Sequence, residues 1–435
     1  MPDAPSAIIR GVAALAALGG TVLAGFVLAG TAAAAVVPVP AGANLQQAVA
    51  SAAAGDVLRL APGVYPGNLV IDKPLTLEGP PDRSAVIVGE RRGRTIWVRA
   101  EHVTLRQLGI RNSGLSLPDM DAGVFLDRMA HHALVEHNDI LDNLMGVYVW
   151  GPNAAMVRGN RIVGNTALRV AERGNGVSVW NSPGTQVLDN DISAGRDGIF
   201  SNTSKQNLFR GNRFRQLRYA VHYMYTNDSE VSDNISEDND IGYAIMYSHR
   251  LVVRNNTALR SRDQGMMFNY ANDAVISGNA VQGGSKCVFL YNANNNRFEF
   301  NHFQDCEIGI HFTAGSDGNA ISDNAFIRNQ NQVKYVGTRV IEWSRQGRGN
   351  YWSDNTAFDL DGDGIADTAY RPNGIIDQVL WRAPAARILL NSPAVSIVRW
   401  AQSQFPALLP GGVIDSAPLM QPPRVPAADA LGAAQ

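Results

Sequence analysis

An asparagine returns along this chain at nearly constant spacing, and that period constrains the fold more than any other feature. It stands at Asn138, Asn160, Asn190, Asn212, Asn234, Asn256, Asn279, Asn301 and Asn324, in steps of 22, 30, 22, 22, 22, 23, 22 and 23 residues. A second marker runs in phase: Gly123, Gly146, Gly176, Gly198, Ala220, Gly242, Gly265, Cys287 and Gly309. Each marker opens a short apolar run, such as Val147-Tyr148-Val149 or Ile199-Phe200-Ser201. A fixed period in this range marks a solenoid, whose repeats bury their apolar faces only by stacking. Leucine-rich repeats share the period but need a leucine framework, which is absent. Short β-type runs broken by Asn and Gly favour strands over helices. The expected fold is therefore all-β: a right-handed parallel β-helix whose coils repeat every 22 residues or so. Coils stack about 4.8 Å apart, so equivalent residues form ladders. Asparagines can hydrogen-bond along such a ladder.

The solenoid is expected over residues 36–340, with less regular first coils around Leu69-Val70-Ile71, Leu75-Thr76-Leu77 and Val103-Thr104-Leu105. Asn44 to Ala53 reads as a short helix, with Asn44 and Gln47 at capping-box spacing. Such a helix would cover the open end of the sheets. The one long step carries eight extra residues around Thr166–Arg173, a loop that is either a binding element or decoration.

Residues 1–35 read as a signal peptide, with Arg10, an apolar run from Gly11 to Gly30 and small residues after it. An uncleaved anchor is the competing reading. Either way the rest of the chain lies outside the cytoplasm. Net charge is −2 and only 17% of residues are charged, so no basic surface for nucleic acid is indicated. There is no Walker loop and no Cys-x-x-Cys motif.

Strand alternation sorts the residues after each marker. The first and third point inward, as with Val147 and Val149 or Ile310 and Phe312. The second and fourth point outward and are unusually apolar: Phe125, Tyr148, Trp150, Trp180, Phe200, His222, Met224, Met246, Met267, Tyr291 and His311. An exposed stripe of this composition marks a docking surface, unless a loop or the C-terminal segment covers it. Within it, His222, Met224, Met246 and Met267 offer imidazole and thioether ligands suited to Cu(I). Methionine is also a generic filler. Cys287 sits at a marker and Cys306 three residues before the next one. Neighbouring coils would hold them about 10 Å apart, beyond disulfide reach, so two separate, mostly buried thiols are expected.

After Asn324 the register loosens. Residues 341–373 read as an aspartate-rich region ending the solenoid. Asp359, Asp361, Asp363 and Asp367 resemble the first half of an EF-hand loop, although Tyr370 stands where the acidic twelfth residue belongs. The loop either holds Ca²⁺ or is a turn stabilised by its own backbone. Residues 374–420 form a docking or capping segment containing short helices. Ser392-Pro393 starts one of them, and Trp381 and Trp400 make the segment too apolar for a free tail. Residues 421–435 read as disordered.

Asn68 to Gly79 (NLVIDKPLTLEG), Ala220 to Ser229 (AVHYMYTNDS), Gly309 to Gly315 (GIHFTAG), Gly349 to Asp367 and Leu389 to Leu419 resemble the NosD family, and the likeness covers nearly all of the mature chain. The resemblance implies a periplasmic, non-enzymatic accessory protein. Its implied partners are an ABC-type permease with its ATPase, a copper chaperone lipoprotein and nitrous oxide reductase, whose copper-sulfide centre the complex helps to assemble. No catalytic residue is carried over. Three functions compete on the residues themselves: a docking and maturation factor, a Cu(I)-binding metallochaperone, and a polysaccharide lyase or epimerase. The last needs clustered acid-base residues in one groove, and Asp127 is the main outward carboxylate.

Overall fold

The computed structural model describes residues 34–313, 315–372, 374, 376, 377, 379, 383–389, 392–405 and 411–428. Residues 1–33 of the expected signal segment lie outside them. The described chain winds into the expected right-handed parallel β-helix. One face is a sheet of 13 strands, from Val36–Val39 to Ala320–Ile321, and the other two faces form a linked array of 23. Every pairing between these strands is parallel, and each residue faces its equivalent in the next coil. Val147, Val177, Ile199, Val221, Tyr243, Met266, Val288 and Ile310 make one such interior column. All of these are fully buried.

The periodic asparagines form the polar spine of this core. Each donates its backbone N–H and its Nδ2 to the Oδ1 of the next. For Asn212 on Asn234 the distances are 2.9 and 3.0 Å. The Nδ2 also reaches a carbonyl, Val187 O at 2.8 Å in that rung. The stack starts where Leu108 N donates to Asn138. It runs through every marker asparagine to Asn350, where the carboxylate Oδ2 of Asp415 takes the last backbone N–H at 2.7 Å.

The N-terminal end is closed as expected. The helix spans Leu45–Ser51, Asn44 accepts from Gln47 N, and Leu45 and Val49 are buried. The Gln46 side-chain amide pairs with both backbone groups of Val70, at 2.9 and 3.1 Å. It satisfies them as a neighbouring strand would. The extra loop folds back on the solenoid. Leu168, like Leu117 and Tyr148, packs on the cluster of Ala122, Leu144 and Met145, and the Arg173 guanidinium donates to the carbonyls of Leu168, Ala194 and Thr166.

Two expectations need correction. Cys287 and Cys306 are joined in a disulfide, with Cα atoms 5.7 Å apart. The offset estimate assumed straight strands. Ala280–Tyr291 and His302–Thr313 instead turn a corner of the solenoid, where Gly283 (φ 75°) and Gly284 (φ 127°) adopt conformations open to glycine. The corner brings the two side chains to one interior point, where both are buried. Residues 421–428 are not disordered: Val425 and Ala427 pack on Leu259 and Ala280, and Pro423 O lies 2.8 Å from His302 Nε2. Val413–Ile414 pairs with Ile341–Glu342, so residues 411–420 belong to the cap that closes the solenoid. That cap stacks Trp352 between Phe326 (4.5 Å) and Tyr370 (4.8 Å).

Candidate functional site

The outward residues two places after each marker form one column up the helix: Trp97, Phe125, Tyr148, Ser178, Phe200, His222, Ala244, Met267, Phe289, His311 and Lys334. Beside it runs Trp150, Trp180, Asn202, Met224, Met246, Asn269 and Tyr291. The stripe is continuous but not uniformly exposed. Phe125, His222 and Met267 are buried, whereas Tyr148, Trp150, Trp180, Phe200, Met224, Met246 and His311 are half-buried. Neighbouring side chains cover one another. Phe125 stacks on Tyr148 at 5.4 Å, with the Arg94 guanidinium 3.8 Å over its other face. Trp150 stacks on Trp180 at 5.9 Å, under Arg128 at 4.1 Å. The loop carrying Leu168 covers the Met145 end, so for that stretch cover comes from within the chain.

His222 is the most specific polar feature of the stripe. Its Nδ1 lies 3.0 Å from Asp197 Oδ2. Asp197 also takes two hydrogen bonds from Arg218, at 2.8 and 2.7 Å. Burial raises the Asp197 carboxyl, but the bonds from His222 and Arg218 outweigh it and hold its pKa below the ordinary value. The imidazole is clamped between Phe200 (4.8 Å) and the edge of Tyr219 (5.0 Å). Its other nitrogen, Nε2, is buried with no hydrogen-bond partner. A buried imidazole nitrogen without a partner is costly, and a carboxylate on the opposite nitrogen is how metal-binding histidines are held. Met224 and Met246 pair in adjacent coils one column away. Met267 stands two coils from His222, beyond Ala244, and packs with Met246. Imidazole and thioether are the side-chain types that suit a soft cation such as Cu(I).

Three of the four candidate aspartates lie close together. Asp359, Asp361 and Asp363 bring oxygens within 4.8 Å of one another. Those carboxylates already accept from the loop's own backbone: Asp359 from Gly362 and Gly364, Asp361 from Asp363, and Asp363 from Ile365. Asp367 closes the loop on Leu360 N at 2.8 Å. The turn is thus held by its own hydrogen bonds as well as carrying three carboxylates side by side.

A row of tyrosines was not foreseen. Tyr225, Tyr247 and Tyr270 stack at 5.2 and 5.1 Å, and Tyr291 meets the last edge-on at 6.0 Å. The first three have φ near 50°, a left-handed turn position that alternation arguments do not reach. Their spacing of 22 and 23 residues was the available signal.

The second predicted docking region is an excursion from the cap. Tyr370 and Asp415 exchange both backbone hydrogen bonds, at 2.8 and 2.9 Å. This pins the neck of everything between them. The excursion carries the helix Pro393–Gln404, capped by Ser392. Ile388, Leu389, Ile397, Trp400 and Phe405 are all more than half exposed. Trp381 lies outside the described residues. No helix among the described residues is long and apolar enough to cross a membrane.

Residues 159–357 match the family model of the periplasmic copper-binding protein NosD. The chain is 39% identical over 380 residues to the "Probable ABC transporter binding protein NosD" of Stutzerimonas stutzeri, covering 84% of this chain and 87% of that protein. It is 38% identical over 384 residues to the protein of the same name from Pseudomonas aeruginosa, covering 85% and 89%. Among solved structures, the Dettilon tailspike protein gp208 aligns with a TM-score of 0.55 at 14% identity, over 69% of this chain and 68% of that one. At that identity the likeness concerns the β-helix fold alone.

Proposed function

The chain belongs to the NosD family, and from that membership we propose that it is a periplasmic accessory protein that docks on an ABC-type transporter and serves assembly of the copper-sulfide centre of nitrous oxide reductase. The observation that carries this reading is the pinned excursion. Five large apolar side chains are held out from a rigid neck, and an exposed cluster of that kind is a surface for a membrane partner. In this reading the excursion meets the permease, whose ATPase supplies the energy. The aromatic-methionine stripe then meets the periplasmic clients, a copper chaperone lipoprotein and the reductase. The role is one of binding rather than catalysis.

The test is a detergent pull-down of the co-expressed permease and ATPase. It compares the full chain with a variant in which residues 376–405 are replaced by a short glycine-serine linker. Asp415 and the cap remain, so the solenoid stays closed. Retention by the full chain and loss by the variant is the expected outcome. Equal retention would move the contact to the solenoid, and no retention by either would remove the transporter from the reading.

A second reading rests on His222. Copper is cargo here, taken up by Nε2 with the thioethers of Met224 and Met246 and with Met267 next along the stripe. Asp197 and Arg218 hold the ring in place. Cu(I) affinity measured against a competing chelator should fall about tenfold or more in His222→Asn. Equal affinity in the variant would exclude this site.

A further inference from the structure

Two histidines on a different part of each coil have no role in the reading above. His102 and His132 stand at the same place in successive coils, two residues before the paired strands Thr104–Arg106 and Leu134–Glu136. Both are exposed. Their imidazoles lie parallel, with centroids 5.1 Å apart and planes 8° from each other. The turn that presents them is fixed by backbone bonds from His102 N to His131 O at 2.9 Å and from His132 N to Asn153 O at 3.0 Å.

Both residues have φ 55°, a left-handed turn conformation in which Asn, Asp and His are enriched, and Ala154, Gln206 and Asp228 adopt it at the same place in later coils. Later coils fill the same column with Ala154, Gly184, Gln206 and Asp228, and earlier coils with Gly55 and Pro74. Asp228 is committed to an ion pair with Arg250. The residues flanking the pair in its column, Pro74 and Ala154, are small and carry no charge. Neighbouring His131 is engaged within the turn, its Nδ1 accepting from Asn153 N at 3.0 Å.

The geometry points to His102 and His132 as a surface chelate for a first-row divalent cation. Imidazole nitrogen suits Cu²⁺, Ni²⁺ and Zn²⁺. The hydrogen-bonded ladder fixes the two backbone positions in successive coils, so the second ring stays within reach once the first has bound. The second nitrogen therefore binds at a high effective concentration. Rotation about Cβ–Cγ turns one nitrogen of each ring toward a shared ion, and water completes the coordination. The site is open and exchangeable. It lies on the turn that follows the stripe strands and does not depend on His222.

The experiment is a titration of the full chain with Cu²⁺ under oxidising conditions, followed by electron paramagnetic resonance and calorimetry. The variants are His102→Asn, His132→Asn and the double substitution, because asparagine keeps the left-handed turn. The wild type should show one equivalent of copper with coupling to two imidazole nitrogens. Each single variant should bind about tenfold more weakly or worse, with one nitrogen left in the spectrum. The double variant should lose that signal without a change in thermal unfolding. Unchanged spectrum and affinity in the double variant would overturn the inference. Loss in one single variant with the other unaffected would overturn the chelate.

Discussion

His311 shows what crowding on the stripe does to one side chain. It is half-buried beside Phe289, and its Nδ1 has no hydrogen-bond partner. Burial, and then the charges of Lys334 and Lys286, push its pKa from 6.5 down to about 4. The unfolded chain therefore takes up this proton at a higher pH than the folded one. The contribution to stability is complete above pH 6.5 and is lost as pH falls toward 4. The urea midpoint should drop between about pH 7.5 and about pH 5, and His311→Gln should flatten that drop. Paired carboxylates such as Asp197 and Glu230, held below their ordinary values, act in more acid solution and leave this window clear. At this scale the sequence showed which residues stand on the stripe, but not how deeply each is covered. Phe125 and Tyr148 share a column, yet Phe125, packed among Trp97, Tyr148, Trp150 and the guanidinium of Arg94, is buried while Tyr148 is half-buried.

Among the elements, the C-terminal strand Val413–Ile414 and the residues after it do most to close the solenoid. Asp415 Oδ2 accepts from Asn350 N, from Trp352 Nε1 at 2.8 Å and, at 3.4 Å, from Asn350 Nδ2. It ends the asparagine stack and anchors the aromatic cap together. Asp415→Ala would leave these buried donors unpaired, at roughly 2–4 kcal/mol. It should expose residues 371–412 to limited proteolysis, because the neck at Tyr370 loses its support. Asp415→Asn should keep most of the stability, since asparagine is the acceptor at every other rung. Intact resistance of Asp415→Ala to protease would show that the cap is held by its aromatic stack alone. The cap was hidden from sequence reasoning because its partners lie 65 and 63 residues apart along the chain and follow no period.

Over the whole molecule the asparagine stack links each coil to the next along the solenoid. Asn234→Ala, in its middle, removes the acceptor for two donors of Asn212 and the Nδ2 that donates to Asn256 Oδ1 and to Phe209 O, while the backbone N–H to Asn256 remains. All lie in the core. The change should cost about 3 kcal/mol, read as a lower denaturation midpoint. A shift under about 0.5 kcal/mol would mean that the apolar columns alone hold the coils in register. Solenoids are stabilised through contacts between neighbouring repeats, so the loss should be felt first in the coils that flank Asn234.

Strand pairing, coil length, the inward columns and the polar spine were all legible in the sequence. They follow from a local pattern repeated at one period, and a parallel ladder sets each residue against its equivalent. The capping helix was legible for the same reason, as Asn44 and Gln47 are neighbours. Tertiary structure alone decided what depends on how the chain bends or returns. The corner at Gly283 and Gly284 joined Cys287 to Cys306. The folded-back loop placed Leu168 on the cluster of Ala122, Leu144 and Met145, and the left-handed turns stacked Tyr225, Tyr247 and Tyr270. The long return of the C-terminus brought Asp415 to the last rung of the ladder and Val425 against Leu259. A period specifies contacts between equivalent positions, whereas a contact between non-equivalent positions exists only once the coils are closed and their corners are set.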